Sequence, residues 1–93
     1  MREIFEKFGD LEVYASFWKK LRGLMLSKPK NIVLVLEKET RIGAMIHMFF
    51  VFYSIDVYWL NNEFEVVDKR INLKPFRFAM PCEKAKYIVE LKR

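Results

Sequence analysis

The sequence has one cysteine, Cys82, and one histidine, His47, among its 93 residues. A disulfide within the chain is therefore excluded. A zinc site built from cysteine and histidine ligands of one chain is excluded as well, and no close carboxylate cluster replaces those ligands. The three glycines stand alone, at Gly9, Gly23 and Gly43, so the phosphate-binding glycine loops of nucleotide enzymes are absent. We expect neither a metal nor another cofactor.

The sequence also lacks an apolar segment long enough to cross a membrane as a helix. The longest uncharged stretch lies between Arg41 and Asp56 and contains fourteen residues. As a helix it would span roughly 21 Å, which is less than the ~30 Å of hydrocarbon in a bilayer. Charged residues recur within positions 2–7, where a secretory signal would need an apolar core. We expect a cytoplasmic protein without a membrane span.

Glutamine is absent while Lys, Arg and Glu are abundant, a composition that resembles the thermophile bias. The net charge is +5. Clustered basic residues would favour a nucleic-acid partner, because they release counterions from phosphates. Here the basic residues are spread over the whole chain, which also suits an ordinary solvated surface. Composition therefore leaves the partner and the oligomeric state open.

Apolar residues make up 53% of the chain and aromatic residues 16%, which predicts one folded domain over residues 1–93. The most apolar stretch is Gly43–Leu60, which is rich in β-favouring Phe, Val and Tyr. We predict that Ala44–Phe52 forms the central strand, covered on both faces, and that a bend near Ser54 leads into a second strand at Ile55–Leu60. The predicted fold is mainly β, either a closed β-barrel or a jelly-roll-like sandwich.

The N-terminal half adds three elements to this prediction. Gly9-Asp10 separates two short apolar runs and suits a tight hairpin turn, while the rival interpretation is an initial helix through Ile4, Phe5 and Phe8. Apolar residues recur at helical period over residues 17–25, which predicts one short amphipathic helix packed on the sheet. Residues 31–37 are a continuous apolar run and predict a strand beside the central one.

The C-terminal half predicts a hairpin, a loop and a last strand. Asn61-Asn62 is a strong turn signal, because Asn enters left-handed conformations easily. The returning strand is predicted at residues 64–72, with one bulge where Val66 and Val67 break the alternation. Residues 73–83 contain two prolines and predict a long surface loop. Residues 86–92 alternate and predict a strand with three inward side chains, Tyr87, Val89 and Leu91.

Several short motifs occur in a fixed order along the chain. They are RGLM at residues 22–25, IHMFF at 46–50, IDV at 55–57, YWL at 58–60, LKP at 73–75 and KYIVEL at 86–91. Together they resemble an archaeal member of the domain of unknown function 192 family. This resemblance implies a mainly β fold of barrel or jelly-roll kind with one short helix, and it implies no established activity.

The leading functional hypothesis is a small noncatalytic binding or interaction domain. Its binding site is predicted at the barrel mouth or at a sheet face bounded by Arg22, His47, Asp56 and Tyr58. Arg22 and Asp56 are charges within apolar motifs, where an unpaired charge is unfavourable, so we predict that they form an ion pair. His47 itself lies in the apolar run and is interpreted as a core histidine.

Two alternatives remain from the sequence. The first is a nucleic-acid-binding protein, because basic and aromatic residues alternate over a predicted loop, at Lys74, Phe76, Arg77 and Phe78. The second is an enzyme centred on Asp56 or Cys82. The plainer interpretation is an outward-facing strand position or a structural ion pair for Asp56, and an ordinary loop thiol for Cys82.

Overall fold

The structure is a computed structural model that describes residues 2–15, 29–48 and 51–93. The described elements are α1 (Arg2–Phe8), β1 (Glu12–Tyr14), β2 (Ile32–Thr40), β3 (Ile46–His47), β4 (Ile55–Leu60), β5 (Val66–Leu73), β6 (Phe78–Ala79) and β7 (Ala85–Lys92). The predicted mainly β class is confirmed. The predicted amphipathic helix over residues 17–25 lies outside the described residues.

Five of these strands form one sheet in the order β1-β2-β7-β4-β5, and β3 pairs with β6 in a second, two-stranded sheet. β1 runs parallel to β2, whereas the other pairs are antiparallel. In the part of the chain that the structure describes, the large sheet is open, with β1 and β5 at its edges. The arrangement is therefore sandwich-like and is not a closed barrel.

The central strand of the large sheet is β7, which lies between β2 and β4. Tyr87 and Val89 are buried on one face of the sheet and Ile88 is buried on the other. This strand was predicted with Tyr87, Val89 and Leu91 pointing inward, and Leu91 does pack against the same cluster as the first two. Both faces of β7 are thus covered, as a central strand requires.

The small sheet of β3 and β6 packs on one face of the large sheet. Ile46 and Ala79 are paired across β3 and β6 and are both buried in the cluster that contains Val57 and Trp59 of β4. The predicted central strand at Ala44–Phe52 is therefore wrong. Among the described residues of this run, the strand is Ile46–His47, which pairs with β6 and belongs to the covering layer.

The physical reason is that the run has one buried side and one exposed side. Ala44, Ile46 and Met48 are buried, while the intervening Met45 and His47 are exposed. Such a segment covers a core from outside, whereas a strand at the centre of a sheet needs cover on both faces. Residues 49–50 of the run lie outside the described residues.

Helix α1 covers the opposite face of the large sheet. Ile4 is fully buried against Val33, Leu60 and Val89, and the Phe8 ring lies 5.0 Å from the Tyr58 ring. The helix ends where the Gly9 N–H donates to the Phe5 carbonyl at 2.8 Å, with a φ of 83° at Gly9 that glycine adopts easily. The predicted hairpin at Gly9-Asp10 is therefore wrong, and the rival initial helix is correct.

The β4–β5 hairpin follows the sequence prediction. Its turn is built on Asn61, whose side-chain oxygen accepts the N–H groups of Glu63 at 2.9 Å and Glu65 at 3.0 Å. Trp59 pairs with Asp68 whereas Leu60 pairs with Val66, so Val67 is the extra residue of a bulge. The bulge predicted at Val66 and Val67 is confirmed, and the predicted surface loop at 73–83 contains the short strand β6.

Candidate functional site

The first predicted group of site residues does not form one site among the described residues. Asp56 and Tyr58 share one face of β4, and Tyr58 is half-buried under helix α1. His47 lies in the small sheet, on the other side of the large sheet, and it is exposed. The prediction of a core histidine is wrong, because Ile46 takes the buried position of this two-residue strand. Arg22 lies outside the described residues.

Asp56 is held in a structural ion pair. Its Oδ1 atom accepts a hydrogen bond from Arg93 Nη1 at 2.6 Å and a second from the Asn72 N–H at 2.8 Å. Asn72 has a φ of 59°, a left-handed conformation that Asn tolerates better than most residues. The carboxylate therefore ties β4 to β5 and to the end of β7. The predicted Arg22 pair lies outside the described residues.

Cys82 lies at the rim of a shallow open cavity of about 410 Å³ that is also lined by Glu39, Arg41 and Lys84. The Cys82 thiol donates to the Val67 carbonyl at 3.6 Å, and the Cys82 N–H donates to Asp68 Oδ2 at 2.9 Å. Desolvation and the neighbouring Asp68 carboxylate raise the pKa of the Cys82 thiol. Because the thiolate is the reactive form, this environment disfavours nucleophilic chemistry at Cys82.

Three phenylalanine side chains are exposed on the side of the molecule that carries the small sheet of β3 and β6. Phe52 is 66% exposed, Phe76 is 51% exposed and Phe78 is 61% exposed. The Phe52 and Phe76 ring centroids lie 5.6 Å apart at an interplanar angle of 71°, an edge-to-face contact. Phe78 is two residues from Phe76, so their Cα atoms lie within about 7 Å. Phe52 and Phe76 therefore form an exposed ring pair, and Phe78 is anchored close to it by the backbone.

Backbone hydrogen bonds hold this region in place. The Phe76 N–H donates to the Met48 carbonyl at 2.8 Å, and the Met48 N–H donates to the Arg77 carbonyl at 2.8 Å. The Met48 side chain is buried in the core, so it anchors the segment that carries Phe76 and Arg77. Phe76 has a φ of 62°, which is unfavourable for a residue with a bulky side chain. Such a conformation persists only where the surrounding structure enforces it.

The alternation of the small sheet explains why Phe78 faces solvent. β3 and β6 place Ile46 opposite Ala79 and His47 opposite Phe78. Ile46 and Ala79 are buried in the core, and successive side chains on a strand point to opposite faces. His47 and Phe78 therefore share the outward face of the small sheet.

Two basic residues lie close to the exposed rings in the sequence. Lys74 and Arg77 are exposed, and neither forms an ion pair with another described residue. We call the five residues Phe52, Lys74, Phe76, Arg77 and Phe78 the aromatic-basic surface. Four of them were predicted as a possible nucleic-acid contact. Phe52 was missed because it was assigned to a buried face of the supposed central strand.

One buried acid was also missed by the sequence interpretation. Glu90 lies on the central strand β7, where it pairs with Ile32 of β2 and Val57 of β4. Only 5% of Glu90 is exposed, and burial raises the pKa of its carboxyl group to about 7. In the alternating run, Glu90 lies between Val89 and Leu91, so its side chain was expected to point to solvent. The alternation alone does not reveal that the second face of this strand is covered as well.

Among the described residues, no helix is both long enough and apolar enough to span a bilayer. No group of three or more His, Cys, Asp or Glu side chains there is arranged to hold a metal ion.

The described fold is thus a mainly β domain whose open sheet is covered by a helix on one face and by a small second sheet on the other. The chain belongs to the domain of unknown function 192 family, described as Uncharacterized ACR, whose sequence profile matches residues 3–93. This confirms the family resemblance seen in the sequence motifs.

Curated relatives come from archaea. The UPF0127 protein of Thermococcus sibiricus is 45% identical over 84 residues, which cover 88% of this chain and 54% of that protein. The UPF0127 protein of Pyrococcus horikoshii is 46% identical over 83 residues, which cover 88% of this chain and 71% of that protein. The chain therefore spans between about half and seven-tenths of the length of these two relatives.

Solved structures share the fold at low sequence identity. A protein of unknown function from Novosphingobium aromaticivorans has a TM-score of 0.78 at 13% identity, with 87% of this chain and 61% of that chain covered. A Sinorhizobium meliloti protein, described as a candidate transcription regulator, has a TM-score of 0.77 at 16% identity, with 88% of this chain and 67% of that chain covered. At these identities the likeness establishes the fold alone.

Proposed function

We propose that this chain is a noncatalytic binding domain and that the aromatic-basic surface is its binding site. The observation that carries the proposal is the exposure of three neighbouring phenylalanine rings, Phe52, Phe76 and Phe78, each of which is more than half exposed. Large apolar groups that are grouped on a surface mark an interaction site more often than single exposed ones do. Aromatic side chains also supply much of the binding energy at protein interfaces.

The rigidity of this surface supports the proposal. Met48 holds the backbone of Phe76 and Arg77 through two hydrogen bonds of 2.8 Å. A surface that is already ordered loses little conformational entropy when it binds. The strained φ of Phe76 fits the same interpretation, since backbone strain is commonly found at functional sites.

The alternative centres are already engaged in structural contacts. Asp56 is bonded to Arg93 and to the Asn72 N–H, and Cys82 is bonded to Asp68 through its N–H. These contacts support a structural role for both side chains. The aromatic-basic surface has large side chains directed to solvent, so it is the better candidate for a binding site.

Small aromatic probes test this proposal, because they collect at the sites where proteins bind their ligands. We would titrate the protein with indole and benzimidazole and follow amide and aromatic-ring NMR signals. The expected result is saturable shifts at Phe52, Phe76 and Phe78, which are lost in Phe76→Ala. Ile71→Ala is the matched control, because Ile71 is a half-exposed apolar residue on β5.

Two outcomes would overturn the proposal. One is the absence of saturable shifts at the three rings. The other is a preference of the probes for the cavity beside Cys82. Circular dichroism of Phe76→Ala, and of Phe76→Leu as a milder change, verifies that both variants remain folded.

A further inference from the structure

We propose that the ligand of the aromatic-basic surface is single-stranded nucleic acid, an inference that rests on the proposed function and specifies its ligand. Unpaired bases would stack on the exposed phenylalanine rings, and the phosphates would be bound by Lys74 and Arg77. The three rings and the two basic side chains occur within residues 52–78, and all five side chains are exposed.

The geometry of the rings suits base stacking. The edge-to-face contact between Phe52 and Phe76 covers one face of only one of the two rings, and both side chains are more than half exposed. Phenylalanine has no hydrogen-bonding atom on its ring, so contacts of this kind are tolerant of base identity. Binding is therefore expected to depend weakly on sequence.

The charge pattern favours an anionic ligand over an apolar protein partner. The segments that contain the five residues of the aromatic-basic surface, 40–55 and 69–82, have no acidic residue and five basic ones, Arg41, Lys69, Arg70, Lys74 and Arg77, of which Arg70 is paired with Asp68. Four acids border these segments, Glu39, Asp56, Asp68 and Glu83. Two of them are paired, Asp56 with Arg93 and Asp68 with Arg70. Lysine is depleted at the centres of protein interfaces, whereas lysine and arginine beside aromatic rings are the usual composition of grooves for single strands.

The shape of the surface favours a single strand over a duplex. Stacking on a protein ring requires bases whose faces are open, and in a duplex neighbouring bases cover those faces. Reading a duplex groove requires a helix or a two-stranded ribbon that enters the groove. The ribbon of β3 and β6 is only two residue pairs long, and one of its faces is packed on the core.

Fluorescence anisotropy tests this inference with labelled oligo-dT and oligo-rU of about 12 nucleotides, a length within the range that one small domain covers. The same oligonucleotides annealed to their complements provide the duplex arm. Titrations between about 50 mM and about 200 mM salt give the number of phosphate contacts, since each contact contributes roughly 0.7 to the slope of log affinity against log salt for single strands.

The expected result is saturable binding of the single strands that exceeds binding of the duplex. Phe76→Leu and Phe78→Leu keep the apolar side chain but remove the aromatic face, and each should weaken binding roughly 5- to 150-fold. The double variant of Lys74→Gln and Arg77→Gln should lower the salt slope by about 1.4.

Matched controls distinguish this surface from general attraction by a basic protein. The double variant of Lys7→Gln and Lys38→Gln removes the same charge from exposed positions on α1 and β2, and Ile71→Ala removes apolar area on β5. Both controls should bind within about twofold of the unchanged protein. Equal losses in the two charge variants would overturn the inference, and so would unchanged binding in both leucine variants.

The failure of this inference can be told apart from the failure of the proposed function. Absent or salt-independent oligonucleotide binding, together with indole shifts at the three rings, would overturn the nucleic-acid ligand and leave the binding surface in place. Tighter binding of apolar peptides than of oligonucleotides at those rings would also overturn the nucleic-acid ligand and leave the binding surface in place. Absence of both oligonucleotide and indole binding would overturn both proposals.

Discussion

The indole Nε1–H of Trp59 donates a hydrogen bond to the carbonyl oxygen of Ala44 at 2.8 Å within the core. Trp59 lies on β4 of the large sheet and Ala44 precedes β3 of the small one, so this bond links the two layers. Both residues are fully buried. The segment that leads to the aromatic-basic surface is therefore fixed to the sheet by a directional contact as well as by apolar packing.

Trp59→Phe should destabilise the protein, because it leaves the buried Ala44 carbonyl without its donor and also opens space in the core. The lost donor alone is expected to lower the free energy of unfolding by about 1–3 kcal/mol. Tyr58→Phe, on the same strand but half-buried, is the control and should change it by less than about 0.5 kcal/mol. Urea unfolding followed by circular dichroism measures both, and equal losses in the two variants would contradict the importance of this bond.

Glu90 should make the stability of the protein depend on pH. Burial raises the pKa of its carboxyl group from the ordinary 4.5 to about 7, so the folded protein binds this proton more tightly than the unfolded chain does. The stabilisation is therefore complete below about pH 4.5, is lost as the pH rises through about 7, and amounts to roughly 3 kcal/mol.

Glu90→Gln removes the ionisation, so its unfolding free energy should rise relative to that of the unchanged protein between about pH 4.5 and about pH 7 and then level off. Urea unfolding at a series of pH values measures this difference. Glu83→Gln, at an exposed position, is the control and should give a curve parallel to that of the unchanged protein. A parallel curve for Glu90→Gln would contradict the assignment of a raised pKa.

The Cys82 thiol should react slowly although it is exposed. Desolvation and the Asp68 carboxylate raise its pKa, with a smaller contribution from Glu83, and only the thiolate attacks an alkylating reagent. Alkylation by iodoacetamide near neutral pH should therefore be faster in Asp68→Asn, and by a smaller factor in Glu83→Gln. Mass spectrometry gives the rates. Asp10→Asn should leave the rate unchanged, and the absence of this ranking would contradict the assigned causes.

The Asp56–Arg93 pair should contribute modestly to stability. Both side chains are partly exposed, and such ion pairs contribute roughly 0.2–1 kcal/mol. Asp56→Ala should cost more than Arg93→Ala, because it also removes the acceptor of the Asn72 N–H. A double-mutant cycle by urea unfolding measures the coupling. The exposed Arg2–Glu6 pair on α1 is the reference and should show about 0.5 kcal/mol or less.

Local signals in the sequence were sufficient to predict the β4–β5 hairpin. The alternation of Ile55–Leu60, the asparagines at the turn and the doubled valine each determine a local feature, and the structure has all three. These features depend on residues near one another in the chain. The same holds for β7, whose inward residues Tyr87 and Val89 follow from its alternation.

Non-local pairing could not be inferred in this way. The longest apolar run suggested a central strand, yet the centre is β7, which is less apolar and contains Glu90. Which strand lies between two others depends on the whole topology, including the parallel pairing of β1 with β2. For the candidate site, the spacing of Lys74 to Phe78 was informative, whereas Phe52 required the tertiary contact with Phe76.

The position of β7 also bears on how the protein is made. The strand that joins β2 to β4 is the last of the described strands to leave the ribosome, so the earlier strands emerge before their shared neighbour exists. Until then the nascent chain exposes unpaired strand edges and apolar side chains of the kind that promote aggregation. Completion of this sheet therefore waits until β7 has emerged, and the nascent chain before that point exposes surfaces that chaperones protect.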